Sequence, residues 1–425
     1  MATVMLGTMI VLLLLGFPMM IPLIAGSFVA FFIYMPIPPE IMVQQMLAGI
    51  RPSALIAVPM FILAADIITK GHSANRLIDL VMAFVGHVRG GLGVTAAASC
   101  ALFGAVSGST QATVVAIGSP LRPRMLNAGY KDSFTLALIV NASDIAMLIP
   151  PSIAMIIYGV ISGTSISELF IAGVGPGLLI LFLFSGYCVL YAKRHDIPVQ
   201  DKASWSERLS ALRDAVWPLG FPIIVVGGIY GGIFSPTEAA SVCVLYALIL
   251  EVMVFRSLNL KDLFEIAKST GLITAVVFIL VAAGAAFSWA ISFNQIPQAI
   301  IGAIGLADAG PIMVLVAISI AFFIGCMFVD PIVVILVLVP IFAPLVEAAQ
   351  IDPVLVGVII TLQVAIGSAT PPFGCDIFTA IAIFRRPYMD VIRGTPPFIV
   401  MLLGVSVALI MFPQIALFLR DLAFR

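Results

Sequence analysis

The sequence predicts an all-α polytopic membrane protein whose two halves repeat each other with inverted topology. Composition is the first reason, because 62% of the 425 residues are hydrophobic and 10% are charged, whereas about 25% of residues are charged in a soluble globular protein. So much apolar surface requires lipid to cover it. The apolar runs are long and lack the two-residue alternation of membrane β-strands, which predicts helices. The second reason is an internal repeat.

Charge and composition argue against several classes of function. The formal net charge is −1 without a basic cluster, so no nucleic-acid partner is expected. The five cysteines lie in apolar stretches without paired spacing and the three histidines are scattered, so we expect no cofactor and no transition metal. No nucleophile–base pair is recognisable, which argues against an enzyme. The stretch 5–35 is too long for a signal peptide and is expected to be the first membrane element.

The charged residues divide the chain into apolar segments. Residues 92–121 and 310–342 each carry Gly, Ser or Pro near the middle, which predicts re-entrant hairpins of two half-length helices, covered by protein or water. The linker 193–214 is expected to be an amphipathic helix at the membrane surface. Eight other segments are long enough, or nearly so, to cross about 30 Å of hydrocarbon: 5–34, 53–69, 134–162, 169–192, 215–234, 238–255, 270–294 and 397–419.

The two halves of the chain align at a constant offset of 221 residues, without gaps. Single matches between membrane sequences mean little, but here Pro-Pro pairs and Gly–x–x–Pro corners coincide in one register. The matching positions are Gly104 with Gly325, Pro150-Pro151 with Pro371-Pro372, Gly173 with Gly394, and Pro176 with Pro397.

Flanking charges orient the two halves, since Lys and Arg collect in short cytoplasmic loops. The connection 122–132 is basic, whereas its counterpart 343–352 carries only acidic charges. After the next span the bias reverses, because 163–168 is acidic and 385–393 holds three arginines. Equivalent loops therefore lie on opposite sides, and the repeat is inverted. The C-terminal tail with Arg420 is the exception. The connections predicted to be cytoplasmic are 70–90, 122–132, 193–214, 251–268 and 385–393.

Inverted repeats with broken helices are typical of secondary transporters, which bind substrate and ions where the repeats meet. Each Pro-Pro pair removes two backbone donors and breaks a helix. The freed carbonyl and hydroxyl oxygens are hard ligands suited to Na⁺, and the N-termini of restarted half-helices suit a carboxylate. The breaks lie at Ser107-Gly108-Ser109-Thr110-Gln111, at Asn141–Asp144 with Pro150-Pro151-Ser152, at Gly325 and Asp330-Pro331, and at Gly367–Gly374 with Pro371-Pro372.

From these breaks we predict two related cation sites and a substrate site between them. The coupling ion is Na⁺, and no other metal is expected. The predicted cation ligands are Ser107, Gly108, Ser109 and Asn141 in the first half, and Gly325, Asp330, Gly367 and Thr370 in the second. The predicted substrate-binding residues are Ser109, Thr110, Asp144, Ser152 and Ser368.

Structural roles are the alternative for each of these residues. Pro and Gly are common in membrane helices, and Ser and Thr often bond to the preceding helical turn. Asp330 precedes Pro331, a favourable first helical residue, so its carboxylate can instead cap a helix. Asp66 and Asp376 lie near predicted span ends or have less context, and no role is assigned to them.

At these motifs the chain resembles the large membrane subunit of tripartite ATP-independent periplasmic (TRAP) transporters, the dicarboxylate-permease M-type family, over nearly its whole length. The family often has an acidic residue shortly after Ser-Gly-Ser, where this chain has Gln111-Ala112-Thr113, so the resemblance gives no carboxylate ligand from the first hairpin. The matching features are the hairpin Gly104–Ser109, Gly129-Tyr130, Ile149-Pro150-Pro151-Ser152, Asp330-Pro331 and Thr370-Pro371-Pro372-Phe373-Gly374.

The resemblance implies a function in the bacterial inner membrane. It implies Na⁺-driven uptake of an organic carboxylate such as a C4-dicarboxylate, a sialic acid or a sugar acid. The implied partners are a periplasmic substrate-binding protein and a small membrane subunit, expected to be a separate polypeptide. A stand-alone Na⁺- or H⁺-coupled anion transporter or exchanger is the alternative.

The resemblance also implies an elevator mechanism, in which a transport domain moves against a scaffold. The transport domain would comprise 92–162 and 310–384. The scaffold would comprise 1–91, 163–309 with its amphipathic linker, and 385–425.

Overall fold

The structure, a computed structural model, describes residues 1–35, 37–38, 40–303, 305 and 309–424. In this part of the chain all regular secondary structure is helical and no β-strand occurs. The first-half helices are α1 (Ala2–Leu14), α2 (Met20–Val29), α3 (Glu40–Gly49), α4 (Ala57–Lys70), α5 (Ser73–Val85), α6 (Gly91–Ser107), α7 (Thr110–Asn127), α8 (Asp132–Ala142), α9 (Ile145–Leu148), α10 (Ile153–Ser162) and α11 (Ile166–Arg194).

The linker and second half continue the helical pattern. A π-helical segment, Ile249–Val254, extends α15. The helices are α12 (Trp205–Ala215), α13 (Gly220–Pro222), α14 (Gly228–Tyr230), α15 (Pro236–Leu248), α16 (Leu260–Phe293), α17 (Ile296–Ala303), α18 (Pro311–Phe328), α19 (Pro331–Ala348), α20 (Pro353–Ser368), α21 (Cys375–Phe384), α22 (Tyr388–Ile392), α23 (Pro396–Met411) and α24 (Gln414–Ala423).

Both predicted re-entrant hairpins are present. α6 and α7 pack against each other, as do α18 and α19. The bounds follow the predicted repeat, because corresponding helix ends differ by 221 residues: Ser107 and Phe328, Thr110 and Pro331, Asn127 and Ala348, Asp132 and Pro353. The breaks, rather than apolar content alone, therefore fix where these helices begin and end.

The apolar helices confirm a polytopic membrane protein, with two differences from the predicted spans. The predicted span 397–419 is divided into α23 and α24, which are bent by 60°. Five helices are long and apolar enough to cross a membrane, or up to eight if each bent pair is one span. The predicted single element 5–34 was wrong as a continuous helix, because it folds back as α1 and α2 with Gly26 directly against Met5. Gly16, at φ +82°, and Pro18 end α1, and apolar composition alone does not reveal that turn.

Ion pairs support the predicted orientation. The connection 122–132 contains the ion pair Arg122–Asp132. The predicted cytoplasmic connections are bound to one another by Arg386–Asp132, Arg124–Asp79, Arg89–Asp196 and Lys70–Asp262. Arg420, the predicted exception, contacts Asp352 at 2.7 Å and Glu168 at 3.7 Å. Those two carboxylates belong to the acidic connections on the other side, so the charge of Arg420 is balanced there.

The linker helix α12 begins with a capping box. The Ser204 hydroxyl accepts from the Glu207 backbone N–H, and Glu207 accepts from the Ser204 N–H and hydroxyl. These bonds lower the pKa of Glu207 because they favour its charged form. α12 packs on α5 and exposes an apolar stripe at helical spacing, Trp205, Leu209, Leu212 and Val216, as an interfacial helix does.

Two sets of helices pack around the hairpins. α16 contacts α2, α3, α4 and α19, whereas α11 contacts α6, α9, α20 and α24. α11 packs on helices of the first hairpin and of the broken spans, so its assignment to a static scaffold stays a prediction. The rest of the predicted division into transport domain and scaffold also stays a prediction.

The start of α5 is held by a buried carboxylate from a distant part of the chain. Glu251, in the π-helical segment after α15, is fully buried. It accepts hydrogen bonds from the backbone N–H groups of His72 and Ser73 at 3.1 and 3.2 Å, and from the hydroxyls of Ser73 and Ser257 at 2.5 and 2.6 Å. Glu251 thus caps α5, the helix that leads into the first hairpin.

We predict that Glu251→Ala lowers the free energy of unfolding by about 2 kcal/mol, because it leaves buried donors without an acceptor. Thermal unfolding in detergent micelles measures the effect. Glu265→Ala is the matched control, since Glu265 is exposed on the following helix. Equal melting temperatures for the two variants would show that Glu251 does not hold α5 in place.

Candidate functional site

A cavity of about 620 Å³ lies between the hairpin tips and the helices α4 and α16. The tip of the first hairpin (107–112) and the start of α19 (330–332) form one wall together with part of α21. The opposite wall comes from α4 and from residues 272–280 of α16. Asp66 and Asp330 are the only charged side chains on the described wall, which includes no Lys, Arg or His. The cavity is therefore acidic.

The tip of the first hairpin is formed by Ser-Gly-Ser. Gly108 ends α6 at φ +60°, and its Cα lies so close to the Pro151 carbonyl that a Cβ there would collide with it. Ser109 caps α7 by accepting from the Ala112 N–H at 3.4 Å. The Ser107 hydroxyl lies 3.2 Å from that of Thr113. Only glycine fits at position 108 for both reasons, backbone conformation and space.

Each hairpin tip bonds to the broken span of its own half. The Gly108 carbonyl accepts from the Ile153 N–H at 3.4 Å, and the Met327 carbonyl accepts from the Phe373 N–H at 3.1 Å. Both Pro-Pro pairs, with cis peptide bonds, lie at these junctions. Both halves thus make a similar contact between hairpin and break, although Met327 and Phe373 lie two and one residues before the positions that the 221-residue offset pairs with Gly108 and Ile153.

The two hairpins differ at the helix that restarts beyond the tip. Asp330 accepts from the Ile332 N–H at 2.9 Å and so caps α19 with its own charge. The expected capping alternative for Asp330 is therefore present. α7 has only the neutral Ser109 as its cap, so its positive end faces the cavity at Thr110 and Gln111. That end suits an anionic ligand group.

A second group of carboxyls is buried behind the first hairpin. Both carboxyl oxygens of Asp144 are buried and have no hydrogen-bond partner among the described residues, and the same holds for the amide oxygen of Asn141. Asp376, also fully buried, accepts from the Thr110 hydroxyl at 2.8 Å through one oxygen, and its other oxygen has no partner. Asp144 and Asp376 are close enough to interact electrostatically.

These unpartnered oxygens require a cation or a proton. Burying an ionised carboxylate without compensation is far more costly than burying a satisfied polar group, so such a group binds a positive charge or is neutralised. The available donors are carboxyl, amide and carbonyl oxygens, which suit a hard cation such as Na⁺. Among the described residues, no three His, Cys, Asp or Glu side chains form a metal-binding group.

The structure brings part of the predicted cation set to the cavity. Ser107, Gly108, Ser109 and Asp330 line it. The remaining members are Asn141, buried behind the first tip, Gly325 and Gly367, packed between α18, α19 and α20, and Thr370, which donates to the Ile366 carbonyl at 2.6 Å.

The predicted substrate residues also divide into two groups. Ser109 and Thr110 line the cavity, whereas Asp144, Ser152 and Ser368 are fully buried away from it. Ser152 caps α10 and Ser368 bonds to the Val364 carbonyl one turn earlier. Local bonds of this kind were the expected alternative for serines in such helices.

Two residues without an assigned role lie at the cavity or next to its wall. Asp376 joins α21 to the tip of the first hairpin through Thr110, and Asp66 lines the cavity from α4. The available signal was that any carboxylate at membrane depth suggests function. Their partners, 266 and 204 residues away in sequence, could not be read from the sequence.

A second cavity, of about 450 Å³, lies toward the other end of α16. Its wall contains the base of the second hairpin, the end of α10 and the C-terminal part of α16. Its polar side chains include Ser288, Ser292, Gln298 and Glu347. The two cavities therefore lie toward opposite ends of α16, and the contacts between α16 and the second hairpin separate them.

Comparison with protein families and curated proteins gives consistent matches. Residues 6–415 match the DctM component of the tripartite ATP-independent periplasmic transporters. The chain is 75% identical over 419 residues to the ectoine/5-hydroxyectoine TRAP transporter large permease protein of Ruegeria pomeroyi, covering 98% of each. It is 71% identical over 427 residues to the ectoine TRAP transporter large permease protein of Halomonas elongata, covering 100% of each. The C4-dicarboxylate TRAP transporter large permease protein of Pseudomonas aeruginosa is 36% identical over 367 residues, with 86% of each covered.

The fold also resembles a solved structure. The YdaH transporter of Alcanivorax borkumensis superposes with a TM-score of 0.63 over 88% of this chain and 87% of its own. Sequence identity is 16%, so the likeness concerns the fold alone.

We predict that Thr110→Val raises amide hydrogen exchange in residues 106–113 about tenfold, because a hydrogen bond to a carboxylate contributes about 1.5–3 kcal/mol. Thr379→Val is the matched control: Thr379 lines the same cavity, but its hydroxyl bonds within α21 to the Cys375 carbonyl. Equal exchange in both variants would mean that Asp376 does not hold the tip.

Proposed function

Because this chain belongs to the DctM component family of the tripartite ATP-independent periplasmic (TRAP) transporters, we propose that it takes up ectoine with a cation gradient. As a large permease of that family, it is a multi-pass inner-membrane protein for secondary uptake and not an enzyme. The observation that carries the substrate proposal is the charge of the cavity between the hairpin tips and α16.

The substrate fits that charge. Ectoine is a zwitterion, with a carboxylate on a ring that carries a cationic amidine. A cavity with Asp66 and Asp330 and no basic side chain on its described wall favours a ligand with a cationic part over a dianion. The two relatives from Ruegeria pomeroyi and Halomonas elongata are both named as ectoine transporter subunits, which also supports ectoine as the substrate. Ectoine therefore takes the place of the C4-dicarboxylate, sialic acid or sugar acid expected from the sequence.

The carboxylate of the substrate would bind at the first hairpin. The N-terminus of α7, at Thr110 and Gln111, presents backbone N–H groups to the cavity without an acidic cap, whereas α19 is already capped by Asp330. A helix N-terminus of this kind favours an anion. The predicted roles of Ser109 and Thr110 are kept in this arrangement.

The coupling cation would bind behind the tip, between Asn141 and Asp144. Their unpartnered oxygens are hard ligands. The helix α8, which carries Asn141, and the helix α9, which follows Asp144, both pack against the first hairpin. Asp144, predicted to bind substrate, is assigned to the cation in this proposal because it lies away from the cavity wall. Na⁺ is the proposed ion because every donor is oxygen.

The two cavities support an elevator movement. The larger one lies near α4 and the first part of α16, and the smaller one near the other end of α16. If the hairpins and broken spans moved along α16, the substrate site would open first to one cavity and then to the other. Family membership adds the proposed partners, a small membrane subunit and a periplasmic substrate-binding protein.

We predict that proteoliposomes containing this chain and its small membrane subunit accumulate radiolabelled ectoine when an inward Na⁺ gradient and the binding protein are both present. Sialic acid and a C4-dicarboxylate, tested in parallel, should not accumulate. Ectoine uptake without the binding protein would support the stand-alone carrier instead. Uptake independent of every cation gradient would contradict the coupling, and absence of ectoine uptake with all components present would contradict the substrate.

We predict that Asp144→Asn raises the Na⁺ concentration for half-maximal uptake roughly tenfold or more, because it removes a charged ligand. Ser143→Ala is the matched control, since Ser143 is equally buried and its hydroxyl bonds to the Val140 carbonyl three residues earlier. Initial uptake rates across a Na⁺ series provide the measurement. An unchanged Na⁺ dependence in Asp144→Asn would place the cation elsewhere.

A further inference from the structure

Asp66 occupies a fixed position on the wall of the cavity opposite the hairpins. It lies one turn before the end of α4, and one carboxylate oxygen accepts from the Thr270 hydroxyl of α16 at 2.7 Å. Thr270 is buried. This is the one side-chain hydrogen bond that the described residues give to Asp66. The carboxylate is thus oriented by α16 and retains a second oxygen for a ligand.

Among the residues that the structure describes, no Lys, Arg or His forms an ion pair with Asp66. Lys70 lies one turn further along α4, but it contacts Asp262 at 3.6 Å. The other carboxylate on the cavity wall, Asp330, uses one oxygen to cap α19. Of the two carboxylates on the cavity wall, Asp330 is therefore compensated by a helix N-terminus. Asp66 is compensated neither by a cation nor by a helix N-terminus of the described chain.

The surroundings of Asp66 strengthen its attraction for a cation. Its neighbours on the cavity wall are apolar, among them Ile62, Ala65, Ile273 and Val276. Apolar walls lower the local dielectric constant, so a charge-assisted hydrogen bond there is stronger than in water. They also suit a small, largely aliphatic ring.

We propose that Asp66 binds the cationic amidine of the substrate through a charge-assisted N–H···O bond, and so makes the transporter select zwitterions over simple anions. The proposal rests on the ectoine function proposed above. The substrate carboxylate lies at the start of α7 and its cationic ring at Asp66, so the two charges of one molecule engage opposite walls. Asp66 belongs to the predicted scaffold and α7 to the predicted transport domain, and this contact is made only while the two walls face each other.

The first test is the kinetics of ectoine uptake in the reconstituted three-component system. Asp66→Asn should raise the KM for ectoine roughly tenfold or more with a smaller change in maximal rate, because a neutral amide replaces a charged acceptor. Thr270→Val is the matched control. It removes the orienting hydrogen bond but keeps the charge, so its KM should change less than that of Asp66→Asn.

The second test uses the wild-type chain and needs no variant. Cys375 lines the cavity and is partly exposed, whereas the other four cysteines are buried. Ectoine should slow alkylation of Cys375 by a maleimide. Pyroglutamate, a cyclic carboxylate without a positive charge, should not do so at the same concentration.

The outcomes separate the two proposals. Wild-type ectoine uptake with an unchanged KM in Asp66→Asn, or equal protection of Cys375 by pyroglutamate and ectoine, would overturn the role of Asp66 and leave the ectoine function intact. Absence of both uptake and protection by ectoine in the wild type would overturn the ectoine function itself, and the role of Asp66 with it.

Discussion

Backbone hydrogen bonding inside hydrocarbon is the constraint on which this fold depends. Lipid offers no partner for a free N–H or C=O, so a helix can break at membrane depth only where protein or enclosed water satisfies the exposed groups. Each hairpin tip here bonds to the break in the broken span of the same half, Gly108 to Ile153 and Met327 to Phe373. Side chains of Ser109, Ser152 and Asp330 cap the helices that restart. Breaks therefore occur in matched pairs, and the cavity forms where the hairpin tips face α4 and α16.

The same helix breaks determine which charged and polar groups lie in and behind the cavity. Interrupted helices bring polar ends and carboxyls to membrane depth, where each charge needs a counterpart. Asp66 and Asp330 face the cavity, while Asp144 and Asp376 are buried behind the first tip with unpartnered oxygens. The described wall offers no basic side chain in return. A cation held at Asp144 and a zwitterion in the cavity supply the missing positive charge in one scheme, in which ion and substrate occupy neighbouring positions around one hairpin.

Much of the fold follows from the sequence because Gly, Ser and Pro mark the breaks locally. Both hairpins begin within one residue of the predicted bounds, but they end at Asn127 and Ala348, six residues beyond the predicted 121 and 342. The 221-residue offset itself holds at these ends and at the starts of α8 and α20. The sequence did not predict that 5–34 folds back at Gly16. An apolar stretch has the same composition whether it crosses the membrane or reverses within it. Hairpin-tip residues such as Ser107 and Ser109 were identifiable for the same local reason. Asp376 and Asp66 were not, because their positions depend on Thr110 and Thr270, which are 266 and 204 residues distant in sequence.

We propose that a cation behind the first hairpin and a zwitterion in the cavity bind as a coupled pair. Equilibrium binding of ectoine to the purified membrane subunits at a series of Na⁺ concentrations, with choline replacing Na⁺, tests it most directly. Linkage requires that Na⁺ tighten ectoine binding and that ectoine tighten Na⁺ binding by the same factor. We expect the affinity for ectoine to rise steadily with the Na⁺ concentration and then to saturate. Ectoine affinity that is the same with and without Na⁺ would contradict it.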